Sequence, residues 1–324
     1  MISSSLARLR RAGWLPLILL LAVRLALGLA YSLTVPPWES YDEDGHFAYA
    51  HYLARHRTLL LGDDAEAQAI WEKFQPPLYY ILASLMLAGS NLDQPFQTPE
   101  RNPYLTNGNA GVNYALHPSP PNEQNTIAAL LRARTLSVLI STASVIFVYL
   151  AARRVWSAEA RAAPMVWAAT CLYAFWPQFL FVGSMVTNDM LVTALAAALL
   201  YLMTRLATET FRLRHALLLG LLLGCALLTK LNAVALVPSL LAALLSSIFG
   251  ARAQRASPKG TWGWTRAWAA FVSVGVLLAS ALWALGSLRF VTGQIFQLQT
   301  LADFLRYAPG LGGAAQGSDS HFIF

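Results

Sequence analysis

Residues 76–89 read PPLYYILASLMLAG, and whether this block crosses a bilayer decides the topology of the whole chain. After its first proline it is about 13 residues long, whereas a spanning helix needs about 20, and shorter apolar stretches suit re-entrant or interfacial segments. Longer apolar blocks stand on either side, at 14–35, 131–150, 162–183, 190–206, 216–229, 231–249 and 267–288. If 77–89 also crossed, Arg153 and Arg154 would lie outside and every later loop would invert. Left out of the count, it puts four basic clusters inside, where Lys- and Arg-rich loops stay. These are Arg8, Arg10 and Arg11; Arg153, Arg154 and Arg161; Arg205, Arg212 and Arg214; Arg252, Arg255, Lys259 and Arg266. The block therefore reads as a juxtamembrane helix opened by Pro76 and Pro77, whose missing N–H groups cost little at a helix start.

Composition points the same way. Of 324 residues, 56% are hydrophobic and 12% charged, about half the charge of a soluble domain, which excludes a soluble enzyme. Apolar blocks of helical length exclude a β-barrel. Cys171 and Cys225 both sit in apolar blocks, which excludes a disulfide framework and a Cys-based zinc site. The net charge of +7 is polarised by position, so it is a topology signal and not a nucleic-acid footprint. Eleven of sixteen carboxylates but only four basic residues lie between Pro36 and Ile127.

The expected fold is an all-α polytopic membrane protein with about seven transmembrane helices and a cytoplasmic N-terminus. The first block is an uncleaved anchor, too long for a signal peptide. A long first outer loop, 36–130, carries juxtamembrane helices, with irregular structure over 91–125, which is rich in Pro, Asn and Gly. The blocks at 216–229 and 231–249 form a hairpin whose tip, Thr229-Lys230-Leu231-Asn232, lies near the outer face. Residues 1–324 form one membrane-embedded module, with 290–324 as an outer tail. Ending at HFIF, the chain reads as truncated.

Ionisable groups at the membrane mark function by default. The leading segment is Trp38-Glu39-Ser40-Tyr41-Asp42-Glu43-Asp44-Gly45-His46, with four carboxylates within six residues. If 42–56 is helical, Asp42 and His46 share a face at i,i+4 and Glu43 meets His46 at i,i+3. The plain alternative is a solvated acidic helix start. His46, His51 and His56 recur about 140° apart and cannot form one ligand face. Asp189, in SMVTNDML, opens a span at the same outer face, where Asn188 and Asp189 could equally be a capping pair. Arg132, Arg134, Lys73 and Lys230 supply cations on that face, suited to a lipid phosphate or to snorkelling, and the arginines equally to pairing with loop carboxylates. Arg24, in mid-span, is expected to pair within the bundle.

These segments resemble a known family. The DE-x-x-H run from Asp42, then QPPLYY, ARTLSVL, PQFLF-x-x-S-x-x-x-ND and LLTKLN stand in the order seen in GT-C membrane glycosyltransferases. They are most similar to glycosyltransferase family 39 and the RgtA/B/C/D-like group, relatives of protein O-mannosyltransferases and the aminoarabinose transferase. The resemblance runs from Trp14 to about Arg289. It implies a seven-span core module and a polyprenyl-phosphate sugar as donor. It also implies inverting transfer to a glycan, lipid or protein acceptor on the outer face of the cell membrane. By position it makes Asp42 the catalytic base, with Glu43 assisting or binding a divalent cation such as Mg or Mn together with Asp189. Lys230, Arg134, Arg132, His46 and Tyr79 fall on the substrate side. Two departures stand out: Gln75 where relatives often carry His or Lys, and Asp44 where Pro is frequent.

The implied chemistry is physically coherent. An acceptor hydroxyl needs a base, a departing phosphate needs positive charge, and no nucleotide-binding glycine loop is present. Two rivals are a transporter or flippase and a non-catalytic assembly subunit. A transporter would place ionisable residues at the midplane on broken or repeated helices, and a scaffold needs no paired acidic sites.

Overall fold

A computed structural model describes residues 14–60, 64–105, 113–117, 124–156, 162–206, 213–241 and 243. Among these the chain is helical and without strands, with one isolated antiparallel bridge between Arg101 and Ala115. Helix α1, Trp14–Thr34, is apolar all round except for one buried face of Leu17, Arg24, Gly28 and Ser32. That spacing of seven, four and four repeats a single helical stripe, and it packs against a long helix over Gln124–Val155. At Gly28 the approach is closest, since a Cβ there would lie 2.8 Å from Val138 Cγ1.

Between these two helices lies the segment expected to form the first outer loop. It holds α2 (Glu43–His56), α3 (Ala65–Ala69), a 3-10 turn (Trp71–Phe74) and α4 (Leu78–Met86). Nine residues of α4 reach only about 14 Å, too short to cross a bilayer, as the reading of 77–89 requires. The 32 residues of α5, Gln124–Val155, reach about 48 Å, so α5 extends beyond one bilayer thickness. One core joins these parts: Phe47, Tyr49 and Leu53 from α2, Tyr79, Tyr80 and Leu87 from α4, Ala129, Leu130 and Ala133 from α5. Tyr49 stacks on Tyr80 at 4.0 Å between ring centroids.

The block expected as one span over 162–183 is broken. Helices α6, Ala162–Ala174, and α7, Pro177–Val182, are separated at Trp176, which is extended at φ −60° and ψ 121°. Pro177 has no N–H to continue the ladder and disfavours helical geometry in the residue before it. Arg24 supports the break from α1. Its Nη2 donates to Ser141 Oγ at 3.1 Å and to Phe179 O at 3.4 Å, and its guanidinium lies 5.1 Å from the Phe179 ring centroid. The expected pairing of Arg24 within the bundle is thus made with a hydroxyl, a carbonyl and a ring face.

Helix α8 covers Asp189–Leu206 and α9 covers Leu213–Thr229. A 3-10 turn over Leu231–Ala235 then follows Lys230, where the hairpin tip was expected. Among the described residues three helices are long and apolar enough to cross a membrane: Trp14–Thr34, Asn125–Val155 and Asp189–Leu206. Ala163–Ala174, Leu217–Thr229 and Leu231–Leu241 are shorter apolar helices. The expected span at 267–288 and the tail at 290–324 lie outside the described residues.

Candidate functional site

Glu43 opens α2 and is fully buried. A carboxylate out of water needs compensation, and Arg134 of α5 supplies it through Nε at 2.8 Å and Nη2 at 2.6 Å. The backbone N–H groups of Val186 at 3.0 Å and Trp38 at 3.2 Å add two more donors to the carboxylate. Arg134 is itself buried, and its remaining N–H groups reach the carbonyls of Ser32, Val35 and Pro36. This pair ties the end of α1, the start of α2, α5 and the segment before α8 into one node.

The same segment, 183–188, is held at each residue that could swing it. Tyr79 accepts from Thr187 N at 3.0 Å and pairs with Ser137 Oγ at 2.8 Å. Asn188 Nδ2 donates to Gln75 Oε1 at 3.1 Å and to Thr229 O at 3.2 Å. Gly183 passes so close to Arg24 that a Cβ there would lie 2.7 Å from Nη2. The first outer segment therefore builds the seat of Asp189. Thr187 Oγ1 accepts from Asp189 N at 3.2 Å, a local bond at the start of α8.

At that seat Asp189 Oδ1 accepts from Lys230 Nζ at 2.6 Å. Both side chains are partly exposed, 43% and 22%, so the pair faces accessible space. Asp42 sits in the left-handed region at φ 62° and makes no side-chain capping bond, and its carboxylate has no hydrogen-bond or ion-pair partner among the described residues. Partial desolvation, then Asp44 and Asp189, push its pKa up, while Lys230 and Arg101 pull it down. These opposing pulls put Asp42, Asp189 and Lys230 within electrostatic reach of one another.

Placement differs from the sequence reading at six residues. His46 pairs neither with Asp42 nor with Glu43; it is buried, with Nδ1 at 2.7 Å from the Tyr80 hydroxyl. Burial, then Lys230, lowers its pKa to about 3, so it stays neutral. Glu43 and Arg134, read as second carboxylate and phosphate cation, are spent on each other because neither can be left buried alone. Tyr79 is fully buried between Ser137 and Thr187. Arg132 leaves the site for the end of α4, donating to Ala88 O and Ser90 Oγ. Lys73 likewise turns away, onto Gln68.

Sequence reasoning missed Glu72. It is 7% exposed in the 3-10 turn, brought there because Gly45 lets the Trp71 indole lie against α2; a Cβ on Gly45 would meet it at 2.5 Å. Burial, then Asp42, raises the Glu72 pKa to about 7, against a hydrogen bond from Gln75. The available signal was a carboxylate inside the aromatic run Trp71-Glu72-Lys73-Phe74. A divalent cation does not fit this donor set. Among the described residues no three metal-ligating side chains gather, Glu43 is neutralised by Arg134, and the cation on Asp189 is Lys230.

Comparison with known proteins adds to this geometry. Residues 128–276 match the family model described as dolichyl-phosphate-mannose-protein mannosyltransferase. The fold is similar to the solved S. cerevisiae protein O-mannosyltransferase Pmt1-Pmt2 complex bound to the sugar donor. The TM-score is 0.52 at 17% identity, over 86% of this chain and 34% of that chain. The chain thus spans about a third of the length of the solved protein it matches. No curated protein matches the sequence. The family match covers a little under half of the chain, and the likeness to the solved complex is one of fold.

Proposed function

We propose that the chain transfers a sugar from a polyprenyl-phosphate carrier to an acceptor hydroxyl at the outer face of the cell membrane. The acceptor is a glycan, lipid or protein. The observation that carries this reading is the Asp189–Lys230 ion pair, contributed by two separate segments and lying within electrostatic reach of Asp42, whose carboxylate has no partner among the described residues. Asp42 takes the acceptor proton as the hydroxyl oxygen attacks the anomeric carbon. The bond from that carbon to the carrier phosphate breaks, and the phosphate leaves with the electron pair. Attack opposite the leaving group inverts the anomeric centre. Lys230, held by Asp189, supplies positive charge where the phosphate develops its own negative charge. No step requires a metal.

The test is turnover of the protein in lipid with a polyprenyl-phosphate sugar. Asp42→Asn keeps size and polarity but removes the proton acceptor, and turnover should fall about 10²–10⁴-fold with folding intact. Lys230→Gln in the same assay should weaken use of the lipid donor. An Asp42→Asn protein with near wild-type turnover would overturn the assignment. A transporter reading draws on the broken span at Trp176–Pro177. It expects movement of a lipid-linked sugar across proteoliposomes, untouched by Asp42→Asn.

A further inference from the structure

One groove lies away from Asp42. It has a volume of about 880 Å³ and runs between the C-terminal end of α2 and α4. Along α2 the two places are separated by about 14 residues, or roughly 20 Å. Leu53, Leu59, Ile81, Leu85 and Leu92 give the groove an apolar lining. Leu85 is 67% exposed and Ile81 39%, an unfavourable state for juxtamembrane leucine and isoleucine facing water.

The rim has the opposite character. Arg57, exposed in the left-handed C-cap of α2, has no ion-pair partner among the described residues. Arg132 reaches the groove through Ala88 O and Ser90 Oγ, bonds that leave one N–H free on each terminal nitrogen. It too has no carboxylate partner among the described residues. Arg55 is already neutralised by Glu66, and Asp93 is the one carboxylate in the lining. Two of the four basic residues of the acidic 36–127 region, Arg55 and Arg57, thus line this groove, and Arg132 bonds to Ala88 and Ser90 of the same lining. Apolar walls under a guanidinium rim, beside a helix of juxtamembrane length, match an acyl chain under a phosphate headgroup.

We propose that this groove binds an anionic phospholipid of the bilayer, its phosphate on Arg57 and Arg132 and an acyl chain along Leu53, Ile81 and Leu85. The proposal rests on the membrane character of the chain and stands whether or not the transferase reading does. The test is native mass spectrometry of the full chain in detergent, titrated with phosphatidylglycerol or phosphatidylcholine. Wild type should retain phosphatidylglycerol in preference. One cation near an anionic headgroup is worth about a fivefold factor, so Arg57→Gln should lose about that much phosphatidylglycerol affinity. It should leave phosphatidylcholine binding as it was. Ser84→Trp, which fills the groove between the helices, should reduce binding of both. Equal retention of the two lipids by wild type, or Arg57→Gln indistinguishable from wild type, would overturn the proposal. Displacement of phosphatidylglycerol by added polyprenyl phosphate would also overturn it, by making the carrier the occupant.

Discussion

Replacing Glu43 by Gln separates a structural role from a chemical one. Glu43 accepts four hydrogen bonds, two of them from Arg134 at 2.6 and 2.8 Å, in a site with no exposure. Glutamine retains one acceptor oxygen and turns an NH₂ toward the guanidinium, so one charge-assisted bond is lost and the Arg134 charge is left uncompensated. Breaking one side of a buried pair costs about 3–5 kcal/mol. The carbonyls of Ser32, Val35 and Pro36 still solvate Arg134, which places the loss near the lower end, about 3 kcal/mol. At about 2–4 °C per kcal/mol for a domain of this class, the melting temperature should fall by roughly 6–12 °C. The assay is thermal unfolding of the detergent-solubilised protein at fixed scan rate. Adding Arg134→Met removes the stranded charge, so the double variant should be more stable than the sum of the two single losses by about 1 kcal/mol or more. If Glu43→Gln melts with the wild type, the pair does not hold this carboxylate. Glu43 would then return as a group available for catalysis.

Two further outcomes follow from named groups. With its pKa raised from 4.5 to about 7 by burial and then Asp42, Glu72 favours the folded state in its protonated form. That stability is present in full below about 4.5 and is lost as pH rises through about 7. The difference is on the order of 3 kcal/mol, so Glu72→Gln should flatten the fall in melting temperature across that window; identical wild-type and variant profiles would refute it. For orientation, single cysteines in a background lacking Cys171 and Cys225 should discriminate: Asn91→Cys should react with an impermeant thiol reagent in intact cells and Trp156→Cys should not. Labelling at 156 from outside would invert the topology and remove the outer-face site.

Much of the architecture was legible in the chain alone because it depends on local quantities. The length and polarity of a block decide whether it suits hydrocarbon, so the span character of 14–35 and 190–206 was readable. So was the shortness of 77–89, where the helix is only nine residues long. Residue type and flank charge also sufficed to single out Asp42, Asp189 and Lys230. Pro177 was equally visible, but hydropathy averaged across it and the break at Trp176 was read as continuous helix.

Which charge belongs to which partner was decided by tertiary structure. Glu43 and Arg134 are 91 residues apart and Asp189 and Lys230 are 41 apart, and no helical or turn periodicity links positions so distant. Their pairing follows from which helices pack together, since a buried carboxylate is tolerable only where packing delivers a cation. The same cause withdrew Tyr79 and Arg134 from the open face and hid Glu72 beneath it, through a glycine at position 45 that admits the Trp71 ring. Sequence decided which groups could carry charge at the membrane surface. Burial and long-range packing decided which of them remained free to use it.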